Sequence, residues 1–179
     1  MGLPSEIHPM HLAGAGQGYQ VANSLRFRKS NSAYLTRTPG SAGNLTTWTY
    51  SVWVKRGDLS SSATIFAAMY NPSGNSSQYE EAGFDSTANN LRFYWYATKS
   101  GGYQYNKQTS VSIRDPSAWY HIVMVLDTNN ATQSERQRIY INNVRITDFG
   151  TNNEPTSGAN SLVNTVLAHT ISGYFYTTS

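Results

Sequence analysis

The chain has 179 residues, a formal net charge of +3 and no cysteine. The lack of cysteine excludes disulfides, thiolate metal ligands and a cysteine nucleophile. The basic residues are dispersed singly, which argues against a nucleic-acid surface, and no run of eighteen apolar residues would insert into a membrane. Aromatic and charged residues each make up 13% of the chain, a balance that favours a β-rich fold with polar loops.

Residues 1–22 carry no periodic pattern and are predicted to form an irregular arm, either a loose tail or an arm that docks on a neighbouring chain. From there on, strand patterns alternate with turn signals. The strongest pattern covers residues 46–55, where the even-numbered residues from Trp48 to Val54 share the face predicted to be core. The other predicted strands lie at residues 25–28, 34–35, 63–70, 78–84, 91–97, 119–126 and 165–172.

The strand at residues 119–126 is apolar on both faces, which predicts a central position in a sheet. Residues 138–146 are predicted to form a hairpin around Asn142 and Asn143, because asparagine tolerates the positive φ of a tight turn. No amphipathic helix is visible. Eight to ten short strands without helices predict an all-β fold, an antiparallel two-sheet sandwich.

Five segments resemble one family when read in order: residues 24–27 (SLRF), 33–39 (AYLTRTP), 48–56 (WTYSVWVKR), 119–123 (WYHIV) and 139–144 (IYINNV). They are similar to the concanavalin A-like, laminin-G-like jelly-roll domains of bacteriophage virion and tail-fibre proteins. The resemblance implies a sandwich over residues 23–172 that is carried on the virion surface. It also implies contacts with other virion proteins and with copies of the chain itself.

The chain departs from that family after residue 172. The family continues into a closing strand near the middle of a sheet, whereas residues 173–179 form a short tail without it. Either the sequence is a fragment, which is the favoured interpretation, or a neighbouring subunit donates the strand. The aromatic residues Tyr174, Phe175 and Tyr176 are predicted to make assembly contacts.

The acidic residues do not suggest a glycosidase. A retaining glycosidase needs two carboxyl groups about 5 to 5.5 Å apart, but Glu80 and Glu81 are adjacent in a strand and so point to opposite faces, and Asp85 is distant. All three are interpreted as solvated edge charges. His8 and His11 have the spacing of two zinc ligands on one face of a helix, but Pro9 disfavours a helix at this position. A zinc site is therefore disfavoured. The chain is therefore predicted not to be an enzyme.

Calcium is the one cofactor considered, because many sandwich lectins hold it with loop carboxylates. Asp127 and Asp148 are the weak candidates, and a turn-capping role for Asp127 is favoured over a metal site. His121 lies within a strand pattern and is interpreted as half-buried and hydrogen-bonded. The expectation is that the chain has no cofactor.

Carbohydrate binding has its best candidates where aromatic residues alternate along one predicted strand. Arg92, Tyr94 and Tyr96 share a face on which flat rings could stack on sugars, and Tyr103 and Tyr105 could extend it. The alternative is that these rings fill a sheet face or a subunit contact. The sequence thus predicts a virion structural module, a head decoration or tail-fibre component, with recognition of host surface glycans as the second hypothesis.

Overall fold

The computed structural model describes residues 23–70, 78–98 and 102–173. In these segments eleven strands form two antiparallel sheets, with short 3-10 turns at Lys29–Asn31 and Gln133–Glu135. The strands are β1 (Leu35–Arg37), β2 (Thr47–Val54), β3 (Ala63–Tyr70), β4 (Gln78–Phe84), β5 (Asn90–Thr98), β6 (Gly102–Ser112), β7 (Tyr120–Asp127), β8 (Gln137–Ile141), β9 (Val144–Arg145), β10 (Phe149–Asn153) and β11 (Ala168–Ile171).

The larger sheet has seven strands in the order β1-β11-β3-β4-β5-β6-β10, and the smaller sheet has four in the order β2-β7-β8-β9. The two inner faces pack against each other, which confirms the predicted two-sheet sandwich. The core comes from both sheets and from one late loop; its buried hydrophobic residues are Trp48, Ile65, Ala68, Ala82, Phe84, Leu91, Phe93, Tyr105, Ile113, Ile122, Met124, Leu126, Ile139, Leu162 and Val163.

Period-two alternation decides which side chains reach this core. In β2 the odd-numbered residues from Thr47 to Trp53 are exposed, while Trp48 is buried and Tyr50, Val52 and Val54 are partly buried against the core. The prediction for this strand is therefore confirmed. Strand β7 lies between β2 and β8, as its two apolar faces indicated.

The predicted hairpin is also confirmed. Strands β8 and β9 flank Asn142 and Asn143, whose φ values are 51° and 66°. The imidazole of His121 holds this turn: Nδ1 lies 3.2 Å from Asn143 Oδ1, and Nε2 lies 2.9 Å from Ser51 Oγ on β2. His121 is thus the half-buried, hydrogen-bonded residue that was expected, and its contacts tie the turn to the neighbouring strands.

Three elements differ from the sequence prediction. Residues 25–28 do not form a strand, and β1 begins only at Leu35. Strands β6 and β10 were not predicted, although β6 is the longest strand described, at 11 residues. Its buried residues include Asn106, Lys107 and Thr109, so the segment lacks the apolar alternation by which strands are recognised in a sequence.

The interpretation of Glu80 as a solvated edge charge is wrong. Glu80 lies on β4, between β3 and β5, and is 1% exposed. Its carboxylate accepts hydrogen bonds from the Tyr105 hydroxyl, from Ser161 Oγ at 2.7 Å and from the Leu162 N–H at 2.7 Å. A buried carboxylate is stable only when hydrogen-bond donors surround it in this way. The donors to Glu80 come from segments distant in sequence, so the residues next to it along β4 do not reveal them.

These bonds join the two sheets. Ser161 Oγ also accepts a bond of 3.0 Å from Trp48 Nε1 on β2, so a chain of hydrogen bonds runs from the larger sheet through residues 161–163 to the smaller sheet. Burial raises the pKa of Glu80, while the four donors from Tyr105, Ser161, Leu162 and Val163 lower it in part. The carboxyl group is therefore a structural element of the core.

We expect Glu80→Ala to lower the free energy of unfolding by about 3 to 5 kcal/mol, because several buried donors lose their acceptor together. The neighbouring Glu81→Ala, which removes a carboxylate from the outer face of the same strand, should cost about 1 kcal/mol. Urea denaturation of both variants measures the difference. Equal losses in the two variants would contradict the structural role of Glu80.

Candidate ligand-binding face

The outer face of the larger sheet carries a cluster of aromatic and charged side chains on β4, β5 and β6. We call it the tyrosine face; it consists of Tyr79, Glu81, Arg92, Tyr94, Tyr96 and Tyr103. Alternation along β5 turns Arg92, Tyr94 and Tyr96 outward, whereas Phe93 packs into the core. The strand register then places Tyr79 and Tyr103 beside Tyr96.

The four rings of the tyrosine face hold one another in place. Tyr79 stacks on Tyr96 with centroids 5.1 Å apart and meets Tyr94 edge-to-face at 5.8 Å. Tyr103 packs edge-to-face on Tyr94 at 5.5 Å and on Tyr96 at 5.4 Å. Such pairs are favourable beyond the area that they bury, and each ring restricts the rotamers of its neighbours. The face is therefore a pre-organised surface.

Charged groups are fixed among these rings. The Arg92 guanidinium lies over the Tyr94 ring at 4.6 Å, and its Nη2 donates to the Tyr103 hydroxyl at 3.2 Å. Glu81 accepts hydrogen bonds of 2.8 Å from the Tyr94 hydroxyl and from Thr64 Oγ1. The face thus offers aromatic surface together with a cation, a carboxylate and phenol groups at fixed positions.

Burial raises the pKa of Tyr94, and the negative charge of Glu81 raises it further. The phenol consequently stays protonated and donates to Glu81 throughout the neutral range. The interpretation of Glu81 as a solvated edge charge is therefore wrong, since its carboxylate is partly buried between Thr64 and Tyr94.

The structure brings four of the five predicted carbohydrate-binding residues together: Arg92, Tyr94, Tyr96 and Tyr103. Tyr103 is the most open, at 41% exposure. Tyr105 lies apart from them, because it is 0% exposed and packs edge-to-face on Phe93 in the core. The pairing of β5 with β6 is irregular between Trp95 and Tyr96, which lie opposite Tyr105 and Tyr103. The sequence gives no indication of this bulge.

Sequence reasoning missed two members of the face, Tyr79 and Glu81. Both lie on β4, and their odd numbering put them on one face of a predicted strand. The register that sets Glu81 opposite Tyr94 and Tyr79 opposite Tyr96 would have identified them. That register depends on the turn between the two strands, which the pattern of residues alone does not determine.

The remaining candidates are held by local partners. Asp127 Oδ1 accepts from Thr47 Oγ1 at 3.5 Å, and Asp148 Oδ1 accepts from Ser110 Oγ at 3.0 Å. Asp85 accepts from the N–H groups of Thr87 and Ala88, and the bond from Ala88 is the main cause of its lowered pKa. No group of three or more His, Cys, Asp or Glu that could hold a metal ion occurs in the segments that the structure describes.

Other predicted residues fall outside the described segments, namely His8, His11, Tyr174, Phe175 and Tyr176, as does the arm at residues 1–22. The roles assigned to them and the possible calcium site at Asp127 and Asp148 remain predictions. In residues 23–70, 78–98 and 102–173 there is no helix with the length and apolar character of a membrane span.

Two antiparallel sheets, a shared core and an ordered aromatic outer face define a lectin-like β-sandwich. A laminin-G-type sequence profile, described as the concanavalin A-like lectin/glucanases superfamily, matches residues 29–174, and the chain belongs to this superfamily. A comparison with curated proteins found no match. The superfamily contains both lectins and glucanases, so membership alone does not separate binding from catalysis.

We expect the Tyr94–Glu81 hydrogen bond to contribute about 1 kcal/mol to the stability of the fold. A double-mutant cycle with Tyr94→Phe and Glu81→Ala should give this coupling energy. Because the pKa of Tyr94 is raised in the folded state, its contribution is complete below the ordinary tyrosine pKa of 10.0 and declines as the pH rises above it. Raising the pH above 10.0 should therefore lower the free energy of unfolding of Tyr94→Phe less than that of the unmodified chain. A coupling energy near zero in the double-mutant cycle would contradict the assignment of the hydrogen bond.

Proposed function

We propose that the chain is a non-catalytic structural module of a bacteriophage particle, a head decoration or a tail-fibre component, which displays its sandwich on the virion surface. We further propose that the tyrosine face binds host surface glycans. The virion role is supported by the five ordered segments that resemble phage laminin-G-like domains. Its partners would be other virion proteins and copies of the chain.

The tyrosine face carries the glycan proposal. Sugars present apolar C–H faces that pack on aromatic rings, and hydroxyl groups that bond to guanidinium, carboxylate and phenol groups. The exposed ring of Tyr103 supplies an aromatic surface for sugar C–H groups, and the neighbouring Arg92 guanidinium supplies hydrogen-bond donors for sugar hydroxyls. The Glu81 carboxylate supplies a hydrogen-bond acceptor. Because the rings already hold one another, little side-chain entropy would be lost on binding.

The positions of the carboxyl groups support binding rather than hydrolysis. Retaining glycosidases place two carboxyl groups about 5.5 Å apart around the scissile bond. On β4 the adjacent Glu80 and Glu81 point to opposite faces, with Glu80 buried in the core and bonded to Tyr105, Ser161 and Leu162. Glu80 therefore does not serve as the second catalytic carboxyl group beside Glu81 on the tyrosine face.

Glycan binding predicts that Arg92→Ala and Tyr103→Ala each weaken retention on a host surface polysaccharide at least tenfold, a loss of about 1.4 kcal/mol. Affinity electrophoresis through gels that contain purified bacterial surface polysaccharides measures the retention. Trp53→Ala is the matched control, because it removes an exposed aromatic ring from the opposite sheet. Equal retention of all three variants, or release of reducing sugar by the unmodified chain, would contradict this assignment.

The virion role predicts that the chain is part of the purified particle. Mass spectrometry of density-banded virions from a phage whose genome encodes the chain should detect its peptides at a stoichiometry of many copies per particle. Antibody labelling in electron micrographs should then decorate the head or the tail fibres. Particles without these peptides would refute the structural role and leave the glycan proposal standing.

A further inference from the structure

The strands that carry the tyrosine face lie inside the larger sheet. Strands β4, β5 and β6 each pair with a neighbour on both sides, in the order β3-β4-β5-β6-β10. A further strand of this domain can pair only at the edge of a sheet, because the backbone groups of an interior strand are already bonded. Completion of either sheet by another strand therefore does not occupy the tyrosine face.

The acidic residues near Arg92 are held by donors other than Arg92. Arg92 pairs with Gly83 across the strands, and Glu81 and Asp85 flank Gly83 in the sequence. Their carboxylate oxygens accept hydrogen bonds from hydroxyl and N–H groups, those of Thr64, Tyr94, Thr87 and Ala88. Within the segments that the structure describes, no acidic residue forms an ion pair with Arg92. The guanidinium therefore carries a positive charge that no carboxylate in contact with it balances.

Hydrogen-bond donors of Arg92 and Tyr103 lie side by side. Arg92 Nη2 donates to the Tyr103 hydroxyl at 3.2 Å, so the phenol oxygen is the acceptor and its own hydrogen can be donated elsewhere. The guanidinium is held over the Tyr94 ring at 4.6 Å, and Tyr103 is 41% exposed. The two side chains thus form a positively charged group of donors at a fixed position beside an exposed ring.

A carboxylate is the group that best matches these donors. It accepts hydrogen bonds at both oxygens, and bonds between charged partners are stronger than bonds to a neutral hydroxyl. The planar guanidinium fits the geometry of a carboxylate closely. Arg92 is the one cation among the six residues of the tyrosine face, and Glu81 offsets part of its charge. A group with a single negative charge is therefore favoured over a phosphate monoester, whose charge is about −2.

Glu81 complements this arrangement from the other side of Tyr94. The Arg92 guanidinium lies over the Tyr94 ring, whereas Glu81 is bonded to the hydroxyl of the same residue. A carboxylate accepts more than two hydrogen bonds, so Glu81 can also accept from a sugar hydroxyl, but it repels a second anion. A sugar with its carboxylate at Arg92 and a hydroxyl at Glu81 satisfies both charged groups.

We propose that the glycan bound by the tyrosine face contains acidic sugars, and that a sugar carboxylate bonds to Arg92 and to the Tyr103 hydroxyl. The inference rests on the proposed glycan binding and names the class of sugar that the face selects. The formal net charge of +3 on the whole chain also favours the approach of an anionic polysaccharide. Neutral polysaccharides are then weaker ligands of the same face.

The test compares one polysaccharide with and without its carboxylates. Affinity electrophoresis on purified acidic and neutral bacterial surface polysaccharides identifies those that retain the unmodified chain. Carbodiimide activation followed by borohydride reduction then converts the carboxylates of a retained acidic polysaccharide to primary alcohols and leaves its linkages unchanged. We expect acidic polysaccharides to be the retained group, and carboxyl reduction to weaken their retention by about tenfold or more.

Two substitutions examine the proposed contacts. Arg92→Gln removes the charge, so this variant should retain the native and the reduced polysaccharide equally. Tyr103→Phe keeps the ring and removes the hydroxyl, so it should weaken retention of the native polysaccharide more than that of the reduced one. Arg114→Gln is the matched control, because it removes the same charge from an exposed residue beyond the end of β6 that lies opposite Tyr103 along the strand. It should leave the preference for carboxylates unchanged.

The outcomes distinguish failure of this inference from failure of the proposed function. Equal retention of native and carboxyl-reduced polysaccharide by the unmodified chain would overturn the specificity for acidic sugars and leave glycan binding intact. The same loss of preference in Arg114→Gln as in Arg92→Gln would also overturn it, because the overall charge would then explain the binding. Retention of none of the polysaccharides would contradict glycan binding itself and the inference with it.

Discussion

The packing of the two sheets depends on one buried carboxylate. Glu80 faces the core from a central strand, where an uncompensated charge would cost several kcal/mol, so donors must surround it. Those donors come from β6 and from the loop at residues 161–163, and the serine of that loop also bonds to Trp48 of the opposite sheet. The requirement to satisfy one side chain thus fixes the position of a loop, and the loop fixes how the sheets meet.

The two outer faces of the sandwich differ in their chemistry although the same alternation generates both. On the larger sheet four tyrosine rings lock together around Arg92 and Glu81. On the smaller sheet Trp53 stacks on His121 at 5.0 Å and stays 57% exposed. The first arrangement orders polar groups at fixed positions, which suits recognition of a polyhydroxylated ligand. The second supports the edge strand β2 and the asparagine turn.

Alternation and turn chemistry were sufficient to predict the sandwich, the core face of β2, the central position of β7 and the hairpin. They failed where polar residues are buried: Glu80 was interpreted as a solvated edge charge, and the strand that contains the buried Lys107 was not predicted. Each of these two side chains is bonded to a partner far along the chain. Only part of the candidate site was predicted, again because the missing information is long-range. The two-residue alternation located Arg92 and Tyr94 on β5, whereas the cross-strand register places Tyr79 and Glu81 beside them.

The bonds that close the core link residues far apart in sequence: Glu80 and Ser161 are 81 positions apart, and Trp48 and Ser161 are 113 positions apart. During synthesis the N-terminal strands leave the ribosome long before the loop at residues 161–163 exists. The nascent chain must therefore keep the Glu80 carboxyl group hydrated and the inner face of the larger sheet open until residues 161–163 have been translated. Folding of such non-local topologies is slow, so this module is expected to depend on chaperones or on slow translation more than a helical domain of equal length.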